Sequence, residues 1–361
     1  MAKDVDQGRI IQEQIRAAAA SKESLTVVGG GSKAFYGRIT SAEDKVLKVA
    51  GHRGIIRYTP SELVVTARCG TPLAEINAAL AEHGQMLGFD PPAYDKTATL
   101  GGAIACGLAG PRRPYAGSIR DHVLGVTCVT GRGEILHFGG EVVKNVAGFD
   151  VPRLMVGSMG TLAVLLDVSL RVVPRPQYEV TLAFDVDQHE GMRRMHEWWK
   201  AGALPISAAC HDGQQSYLRL SGYEAAVNAA RARLGGEVYG KGEQFWSDLR
   251  DQRMDFFRLT DEESNLWRIT VAPTAQPLKL VSDSLIEWGG ALRWIKTILP
   301  SQVIRAIATR GSGHATLFRG ERRYGMVFHP LPEGVYALHR RLKAAFDPQG
   351  ILNPGRMYPD F

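Results

Sequence analysis

The stretch LTVVGGGSKAFYGR at residues 25–38 limits the folds open to this chain more than any other segment. A short apolar run, typical of a buried strand, ends in three consecutive glycines, a serine and a lysine. Glycine permits the positive backbone angles and close approach that a loop around a phosphate needs. Ser32 would add a hydroxyl group and Lys33 a charge. The stretch therefore indicates either a phosphate-binding loop or a plain turn between two strands.

Three kinds of phosphate loop follow a strand in this way, and their spacing separates them. A P-loop needs GxxxxGK followed by Ser or Thr, whereas here Lys33 comes after Ser32 without that spacing. A Rossmann turn needs GxGxxG leading into a helix, but aromatic residues and Gly37 follow at once. A nest, in which successive backbone N–H groups surround a diphosphate, stays open. The plain turn stays open as well.

Composition narrows the classes of protein further. The 361 residues exceed one ordinary domain, and 45% hydrophobic with 22% charged residues is a globular balance. The net charge of +6 is spread along the chain, so an anionic cofactor, an anionic substrate or an acidic partner fits better than nucleic acid. We find no apolar signal sequence, no bilayer-spanning run and no CxxC pair, which predicts a cytoplasmic protein with free thiols.

Local patterns in the first half of the chain predict short strands and two helices. Residues 8–22 have the pattern of an amphipathic helix. Residues 71–84 resemble a second helix, with Thr71 as its N-cap, Pro72 at its first position and Gly84 at its end. Strands are expected at 25–29, 45–50, 62–70, 122–130 and 135–140, the last two as a hairpin, followed by a buried strand pair over 160–176.

Residues 88–118 lack a regular pattern and are rich in Gly, Pro and Ala. An irregular stretch of that length inside a compact domain is typical of a functional loop. After Pro176, charged helices alternate with short strands, which predicts a second α+β domain. We therefore expect a first domain over 1–176, a second over 177–334, and a C-terminal helix and tail over 335–361.

Several segments together resemble one family of flavoproteins. They are VVGGGSKA, ATLGGAIACGLAG with PYAGSIRDHVLGVTCVTGRGEI, VVKNVAGFDVPRLMVGSMGTLAVLLDVSLRVVPRP and FDPQGILNPGRMY. In order and spacing they are similar to the FAD-binding domain of the vanillyl-alcohol oxidase / p-cresol methylhydroxylase superfamily. Within it, GLAGPRRPYAGSIRD, GGEVVKNVAGFD, RLMVGSMG, LIEWGGALRWIK and GHATLF resemble the family of E subunits of bacterial glycolate oxidase, over the whole chain.

The resemblance implies an α+β fold and a cofactor. It implies a two-subdomain FAD-binding domain of the p-cresol methylhydroxylase (PCMH) type, a smaller α+β cap or substrate domain, and a tail that returns to the FAD domain. FAD is expected to be non-covalent, because the first loop has Ser32 and Lys33 where covalent relatives often have histidine. The family's SEGTLG reads SMGTLA here, and we expect FAD binding to tolerate Met159 and Ala163.

The residues that the resemblance assigns to FAD are spread along the chain. The loop from Gly29 to Ala34 would surround the pyrophosphate of FAD. A second wall, from Thr97 to Gly102, would lie beside the ribityl chain and the pyrophosphate, and Pro91 and Pro92 would approach the flavin ring. The full set is Gly29, Gly30, Gly31, Ser32, Lys33, Ala34, Pro91, Pro92, Thr97, Thr99, Leu100, Gly101, Gly102, Ala105, Cys106, Gly107, Ser118, Arg120, Gly148, Asp150, Gly157, Gly160, Thr161, Val164 and Asn353. Two alternatives stay open: Lys144 with Asp150 as a structural ion pair, and Arg120 as an anchor between domains.

Oxidation of a 2-hydroxy acid by a flavoprotein needs a cation for the substrate carboxylate and a base for the hydroxyl proton. Arg268 and Arg293 are candidates for the cation, because a guanidinium fork matches two carboxylate oxygens. His314 is the candidate base, with packing at a domain interface as the alternative. The sequence lacks the GHxGDGN motif of related catalytic subunits, so we expect no metal, and independent catalysis is in doubt.

The motifs of the sequence are compatible with three functions. The resemblance implies an FAD subunit of a glycolate oxidase complex, which oxidises glycolate to glyoxylate beside a second flavin subunit and an iron–sulfur subunit, with a non-NAD acceptor. The alternatives are a stand-alone FAD-dependent dehydrogenase or oxidase for another 2-hydroxy acid or alcohol, and a non-catalytic subunit for electron relay or assembly. Attachment of the complex to the inner face of the cytoplasmic membrane is left open.

Overall fold

The computed structural model describes residues 4–41, 43–141, 148–259, 265–278, 284–320 and 323–361. Its helices are α1 Gly8–Ser21, α2 Leu73–Ala81, α3 Leu100–Cys106, α4 Arg113–Ala116, α5 Ile119–His122, α6 Val151–Met155, α7 Gln188–Lys200, α8 Glu224–Leu234, α9 Gly242–Arg250, α10 Ser301–Arg310 and α11 Glu333–Phe346. Its strands are β1 Leu25–Val28, β2 Lys45–Lys48, β3 Ile55–Thr59, β4 Val64–Arg68, β5 Gln85–Met86, β6 Val123–Thr130, β7 Ile135–Gly139, β8 Ala163–Arg171, β9 Val173–Pro174, β10 Tyr178–Phe184, β11 Ile206–His211, β12 Ser216–Gly222, β13 Glu237–Val238, β14 Leu266–Thr270, β15 Ser284–Glu287, β16 Leu292–Lys296 and β17 His314–Arg319.

The chain divides into two compact units. Unit 1 comprises Met1–Leu108, Ser118–Pro174 and Arg323–Phe361, and unit 2 comprises Ala109–Gly117 and Arg175–Arg322. Both mix helices with sheets, so the predicted α+β class is confirmed. In the described part of the chain, none of the helices has the combined length and apolarity needed to cross a membrane.

Unit 1 is built around a five-stranded antiparallel sheet in the order β3-β4-β8-β6-β7. Its central strand β8 is buried at almost every position, as expected for a strand covered on both faces. Ala163 and Leu165 contribute to the main core of the unit. Val164 and Leu166 point to the other face and pack in a cluster with α1 and the parallel pair β1-β2. The end of β1 is thereby fixed beside β8, which positions the glycine loop.

Unit 2 contains an antiparallel sheet of eight strands, in the order β13-β10-β12-β11-β15-β16-β14-β17. Helices α7 and α8 cover one face, where Met192, Met195 and Trp198 pack with Val180 and other strand residues. The opposite face carries α9, whose Trp246 indole N–H donates to the Thr181 hydroxyl at 2.9 Å. Helices thus lie against both faces of the sheet, and α9 contacts a polar side chain, Thr181, on its face.

Several local predictions need correction. The helix predicted at 71–84 begins at Leu73, and Pro72 is its N-cap residue with an extended ψ of 138°. Thr71 does not cap it, because its hydroxyl accepts from the Gly54 N–H at 2.9 Å and lies 3.2 Å from the Gly54 carbonyl. The strand pair expected over 160–176 is one long strand, β8, followed by the two-residue β9. The stretch 88–118 contains the regular helix α3 and the short α4.

Residues 109–117 belong to unit 2, whereas the sequence division placed them in the first domain. The Trp288 indole N–H donates to the Gly110 carbonyl at 3.1 Å, and the Arg113 guanidinium lies 4.4 Å from the centre of the Trp288 ring. Arg112 also forms an ion pair with Glu179. These contacts explain why this segment groups with unit 2. The boundaries 1–176, 177–334 and 335–361 otherwise remain a prediction.

Candidate functional site

A cavity of about 180 Å³ opens in unit 1 where the glycine loop meets β8 and the C-terminal tail. Three groups of residues form its wall. They are Thr26 to Val28 of β1 with the loop from Gly29 to Ala34, a second wall from Val49, Cys69, Thr99, Gly101, Gly102, Ala105 and Cys106, and a third from Met159, Gly160, Ala163, Val164, Leu165, Asn353 and Arg356. The cavity therefore joins segments that are more than 300 residues apart in the chain.

The glycine loop, residues 29–34, presents backbone donors to this cavity. Within the described ranges, the N–H groups of Gly29, Gly30, Gly31 and Ser32 have no protein acceptor. Gly31 has a φ of +78°, and a Cβ added there would meet no atom within 4 Å. The Ala34 N–H differs, because it donates to the Gly31 carbonyl at 3.0 Å. A row of unsatisfied donors beside a cavity is the arrangement that binds a diphosphate.

Gly29 and Gly30 are needed for packing rather than for access to a ligand. A Cβ on Gly29 would lie 2.7 Å from the Thr99 hydroxyl oxygen, and one on Gly30 would lie 1.5 Å from the Thr97 carbonyl oxygen. Thr97 in turn donates its hydroxyl to the Gly30 carbonyl at 2.6 Å. Thr99 is the N-cap of α3 and accepts from the Gly102 N–H at 3.2 Å. The absence of side chains on the loop thus lets it contact the second wall directly.

Asn353 connects the tail to both the loop and the third wall. Its side-chain oxygen accepts from the Val27 N–H at 2.7 Å, and its amide nitrogen donates to the Met159 carbonyl at 2.6 Å. A Cβ on Gly160 would lie 2.8 Å from that nitrogen, and Gly160 has a φ of +70°. Gly160 is therefore required by the approach of Asn353.

Positive charge surrounds the cavity. Lys33 is buried, with its Nζ 3.4 Å from the Ser32 hydroxyl oxygen and 5.6 Å from the centre of the Tyr94 ring. Arg356 lines the cavity as well. Burial raises the pKa of the Cys106 thiol, while the charges of Lys33 and Arg356 act in the other direction. The site is therefore suited to an anion, and Cys106 stays a neutral thiol within it.

The structure gathers part of the predicted FAD set in this cavity. The residues that line it are Gly29, Gly30, Gly31, Ser32, Lys33, Ala34, Thr99, Gly101, Gly102, Ala105, Cys106, Gly160, Val164 and Asn353. The predicted residues outside its lining are Pro91, Pro92, Thr97, Leu100, Gly107, Ser118, Arg120, Gly148, Asp150, Gly157 and Thr161. The cofactor roles of both groups remain a prediction.

Some of the predicted residues outside the cavity lining make local structural contacts. Ser118 begins α5 and donates both its N–H and its hydroxyl to Asp121. Asp150 is the N-cap of α6 and pairs with Arg153 at 3.0 Å. Lys144, the other member of the predicted ion pair, lies outside the described residues. These contacts favour capping roles for Ser118 and Asp150.

The candidate catalytic residues lie in the sheet of unit 2. Arg268 on β14 pairs with Thr316, and His314 on β17 pairs with Thr270, so both side chains belong to the same sheet face. The Arg268 guanidinium lies 5.1 Å from the centre of the Trp288 ring. Within the described residues it has no hydrogen-bond acceptor. This face, which we call the Arg268 face, can offer a cation to an anionic group.

Arg293 lies on the opposite face, because it pairs with Ile269 and Ile286. It is almost fully buried, and burial lowers its pKa to about 10. Its guanidinium donates to the carbonyls of Ala275 and Gln276, each at 2.6 Å, and to that of Gly290 at 3.1 Å. A side chain used in this way holds the backbone, which speaks against its predicted role as the carboxylate ligand.

Sequence reasoning missed four polar or sulfur-bearing residues of the cavity wall: Thr26, Cys69, Met159 and Arg356. From the sequence, Met159 is expected only to be a tolerated change, but it has a φ of +53° and its carbonyl accepts from Asn353. Arg356 follows the NPG motif, but nothing local in the sequence indicates its contacts. Cys69 lies at the end of β4, where its backbone carbonyl accepts from the Gly101 N–H at 2.7 Å.

Two known families match parts of this chain. Residues 7–139 match the family described as FAD binding domain, and residues 329–357 match the C-terminal domain of FAD linked oxidases. Glycolate oxidase subunit GlcE of Escherichia coli (strain K12) is 46% identical over 360 residues, which cover 100% of both chains. Glycolate oxidase subunit GlcD of Bacillus subtilis (strain 168) is 23% identical over 393 residues, covering 91% of this chain and 83% of that protein.

More distant similarities extend to a dehydrogenase and to a solved structure of a synthase. D-lactate dehydrogenase of Archaeoglobus fulgidus is 30% identical over 165 residues, covering 45% of this chain and 37% of that protein. A structure of alkyldihydroxyacetonephosphate synthase superimposes with a TM-score of 0.67 and 17% identity, covering 96% of this chain and 74% of that chain. At that identity the likeness shows a shared fold.

Proposed function

Because the chain belongs to the family of glycolate oxidase E subunits, we propose that it is the FAD-binding subunit of a complex that oxidises glycolate to glyoxylate. One observation of the structure carries the proposal: a row of backbone donors without protein acceptors, within the described ranges, faces a cavity flanked by Lys33. The relatives named for glycolate and D-lactate support 2-hydroxy acids as the substrate class.

The residues of the cavity fit FAD. The N–H groups from Gly29 to Ser32 would hold the pyrophosphate, and Lys33 would add positive charge beside it. The open space at Gly31 leaves room for the diphosphate without a side chain in the way. The loop contains no histidine, so we propose non-covalent binding.

FAD, when bound, supplies the acceptor for the hydride that leaves the α-carbon of the substrate. The remaining tasks fall to side chains of the Arg268 face. Arg268 would bind the substrate carboxylate through two N–H groups, as guanidinium forks do. A ring nitrogen of His314 would accept the hydroxyl proton as the carbonyl of the product forms. Hydride and proton together account for the conversion of an alcohol to an aldehyde.

Electrons must then leave the subunit. The described residues contain no group of three or more His, Cys, Asp or Glu side chains that could hold a metal ion. We propose that a second flavin subunit and an iron–sulfur subunit accept the electrons and pass them to a non-NAD acceptor. In this proposal the protein works in the cytoplasm, and the complex attaches peripherally to the inner face of the membrane.

One observation favours a second candidate function. The chain lacks the GHxGDGN motif of related catalytic subunits, so its FAD would relay electrons that enter at the partner's flavin. A stand-alone 2-hydroxyacid or alcohol oxidoreductase is the remaining alternative. The relay function differs from the other two in where the substrate delivers its hydride, and the stand-alone function differs in needing no partner subunit.

Anaerobic titration separates these functions. The purified FAD-loaded chain is mixed with glycolate without oxygen, and the flavin absorbance near its visible maximum is followed. Bleaching of the isolated chain supports oxidation by this subunit and refutes pure relay. Bleaching only after the second flavin subunit is added refutes stand-alone action. If the isolated chain bleaches, the Arg268→Met variant should no longer bleach but should retain its FAD. Arg310 is exposed on α10, so the control variant Arg310→Met should bleach as the wild type does.

A further inference from the structure

The backbone that follows the glycine loop is held by two guanidinium groups. The acceptors of Arg356 are the carbonyls of Ala34, Tyr36 and Arg38, and those of Arg323 are the carbonyls of Ala34, Phe35 and Gly37. Each carbonyl from residue 34 to residue 38 therefore has an arginine donor. We call this arrangement the carbonyl clamp.

Arg38 supplies the reciprocal contacts. Its guanidinium donates to the carbonyls of Tyr324, Gly325 and Gly355, and its N–H donates to the Arg356 carbonyl at 2.9 Å. Space at the contact is tight, because a Cβ on Gly355 would lie 3.0 Å from Nη1 of Arg38. Hydrogen bonds from side chains and backbone thus connect the loop to the tail, although the two segments are more than 280 residues apart in the sequence.

The clamp follows from the geometry of the loop. When the N–H groups of a nest turn toward a ligand, neighbouring carbonyls turn away and need donors of their own. A guanidinium presents five N–H donors in a rigid planar fork, so one arginine can serve several carbonyls at once. Lysine carries the same charge on a flexible stem and cannot reproduce that fork.

Arg356 is placed to act at the cavity itself. It lines the wall and is largely enclosed, and burial lowers its pKa, with the charge of Arg323 acting in the same direction. Two of its nitrogens serve the carbonyl clamp. A Cβ on Gly37 would lie 3.2 Å from its Nε, so the fork is fitted closely against the loop.

We propose that Arg356 is a positioning residue for FAD, which holds residues 34–38 so that the N–H groups of Gly29 to Ser32 face the pyrophosphate. It acts through the backbone of the loop and not through its charge alone. The inference rests on the FAD site of unit 1 and is independent of the identity of the substrate.

Two substitutions at one position separate the fork from the charge. Arg356→Met removes both, and Arg356→Lys keeps the charge but loses the planar fork. Loss of several hydrogen bonds from a loop should weaken FAD binding by about tenfold or more in both variants. Binding is measured by titrating apoprotein with FAD and following the quenching of flavin fluorescence. Arg340→Met, an exposed arginine on α11, is the matched control and should bind as the wild type does.

A second readout locates the effect. Hydrogen–deuterium exchange of apoprotein peptides covering residues 29–38 should become faster in both Arg356 variants, while exchange in β6 and β8 stays unchanged. The dissociation constant of ADP, which carries the diphosphate without the flavin ring, should rise by the same factor as that of FAD.

Each other outcome refutes the proposal. Wild-type FAD affinity in Arg356→Lys would mean that the charge alone matters, and wild-type affinity in both variants would mean that the clamp is irrelevant. If Arg356→Met does not fold, Arg323→Lys tests the other half of the carbonyl clamp. Unchanged FAD affinity in Arg323→Lys would also refute the proposal. A wild-type chain that binds no FAD would refute the cofactor site itself, which is a different failure.

Discussion

Replacement of Lys343 by methionine tests how the C-terminal tail is held beneath the cofactor site. Lys343 on α11 is buried, and its Nζ donates to the carbonyls of Thr161 and Leu352 and to the Asp347 carboxylate, each at 2.7 Å. Asp347 is buried as well and accepts from the Leu352 N–H at 2.7 Å. Methionine has a similar length but leaves this carboxylate without its cation.

The magnitude follows from the burial of the pair. Removing one partner of a buried ion pair costs about 3–5 kcal/mol, because the other charge stays uncompensated. For a unit of this size, 1 kcal/mol corresponds to roughly 2–4 °C, so the melting temperature of unit 1 should fall by about 6–20 °C. Because the chain has two units, release of FAD, followed by flavin fluorescence on heating, reports unit 1 selectively.

A matched control on the same helix sets the scale. Arg341 is exposed on α11, so Arg341→Met should change the release temperature by no more than about 2 °C. The double variant Lys343→Met with Asp347→Asn should lose less stability than the two single variants added together, because the uncompensated charge is gone. A Lys343→Met protein that melts like the control would refute the reasoning.

Three shorter predictions concern other parts of the chain. Gly30→Ala should abolish FAD binding, as measured by flavin content after purification, since its Cβ would lie 1.5 Å from the Thr97 carbonyl; unchanged content would contradict the packing argument. Among the described residues, Cys106 is the only cysteine that is not fully buried. An alkylating reagent at alkaline pH should therefore label it in apoprotein, and FAD should protect it, as read by mass spectrometry. Burial lowers the pKa of His211, whose Nε2 has no partner among the described residues. As the pH drops below 6.5, the unfolded chain therefore takes up a proton on this histidine before the folded chain does. The free energy of unfolding should then fall by up to about 1.4 kcal/mol per pH unit. Urea unfolding at several pH values should show this loss weakened in His211→Asn and retained in His189→Asn, an exposed control; an equal slope in both would count against it.

The elements with strong local patterns were predictable from sequence alone. The helix α1 and the hairpin β6-β7 lie where the apolar spacing predicted them. The start of α2 could not be predicted, because the Thr71 hydroxyl has two competing hydrogen-bond partners. It could cap the helix or bind the Gly54 backbone, and the choice depends on this contact with a residue that is 17 positions away in the sequence.

The candidate site shows a similar division. The motif order located the loop and much of the cavity wall, but it could not say why each glycine is there. Gly29 and Gly30 are fixed by contact with Thr97 and Thr99, whereas Gly31 opens on the cavity. The residue type of Arg293 suits a carboxylate ligand, and only the fold shows that its donors are used by three carbonyls. Long-range contacts therefore decide which of several similar residues meets the ligand.

The same long-range contacts have a consequence for assembly of the cofactor site. The glycine loop is formed near the start of the chain, but Asn353 holds β1 beside it and Arg356 holds the carbonyls that follow it. A fragment that ends after β9 keeps the loop sequence and the five-stranded sheet yet lacks both tail contacts. The loop would then have to be ordered by FAD alone, and the binding energy spent on ordering it would lower the affinity. Tight FAD binding should therefore depend on residues that are synthesised only after unit 2 has been completed.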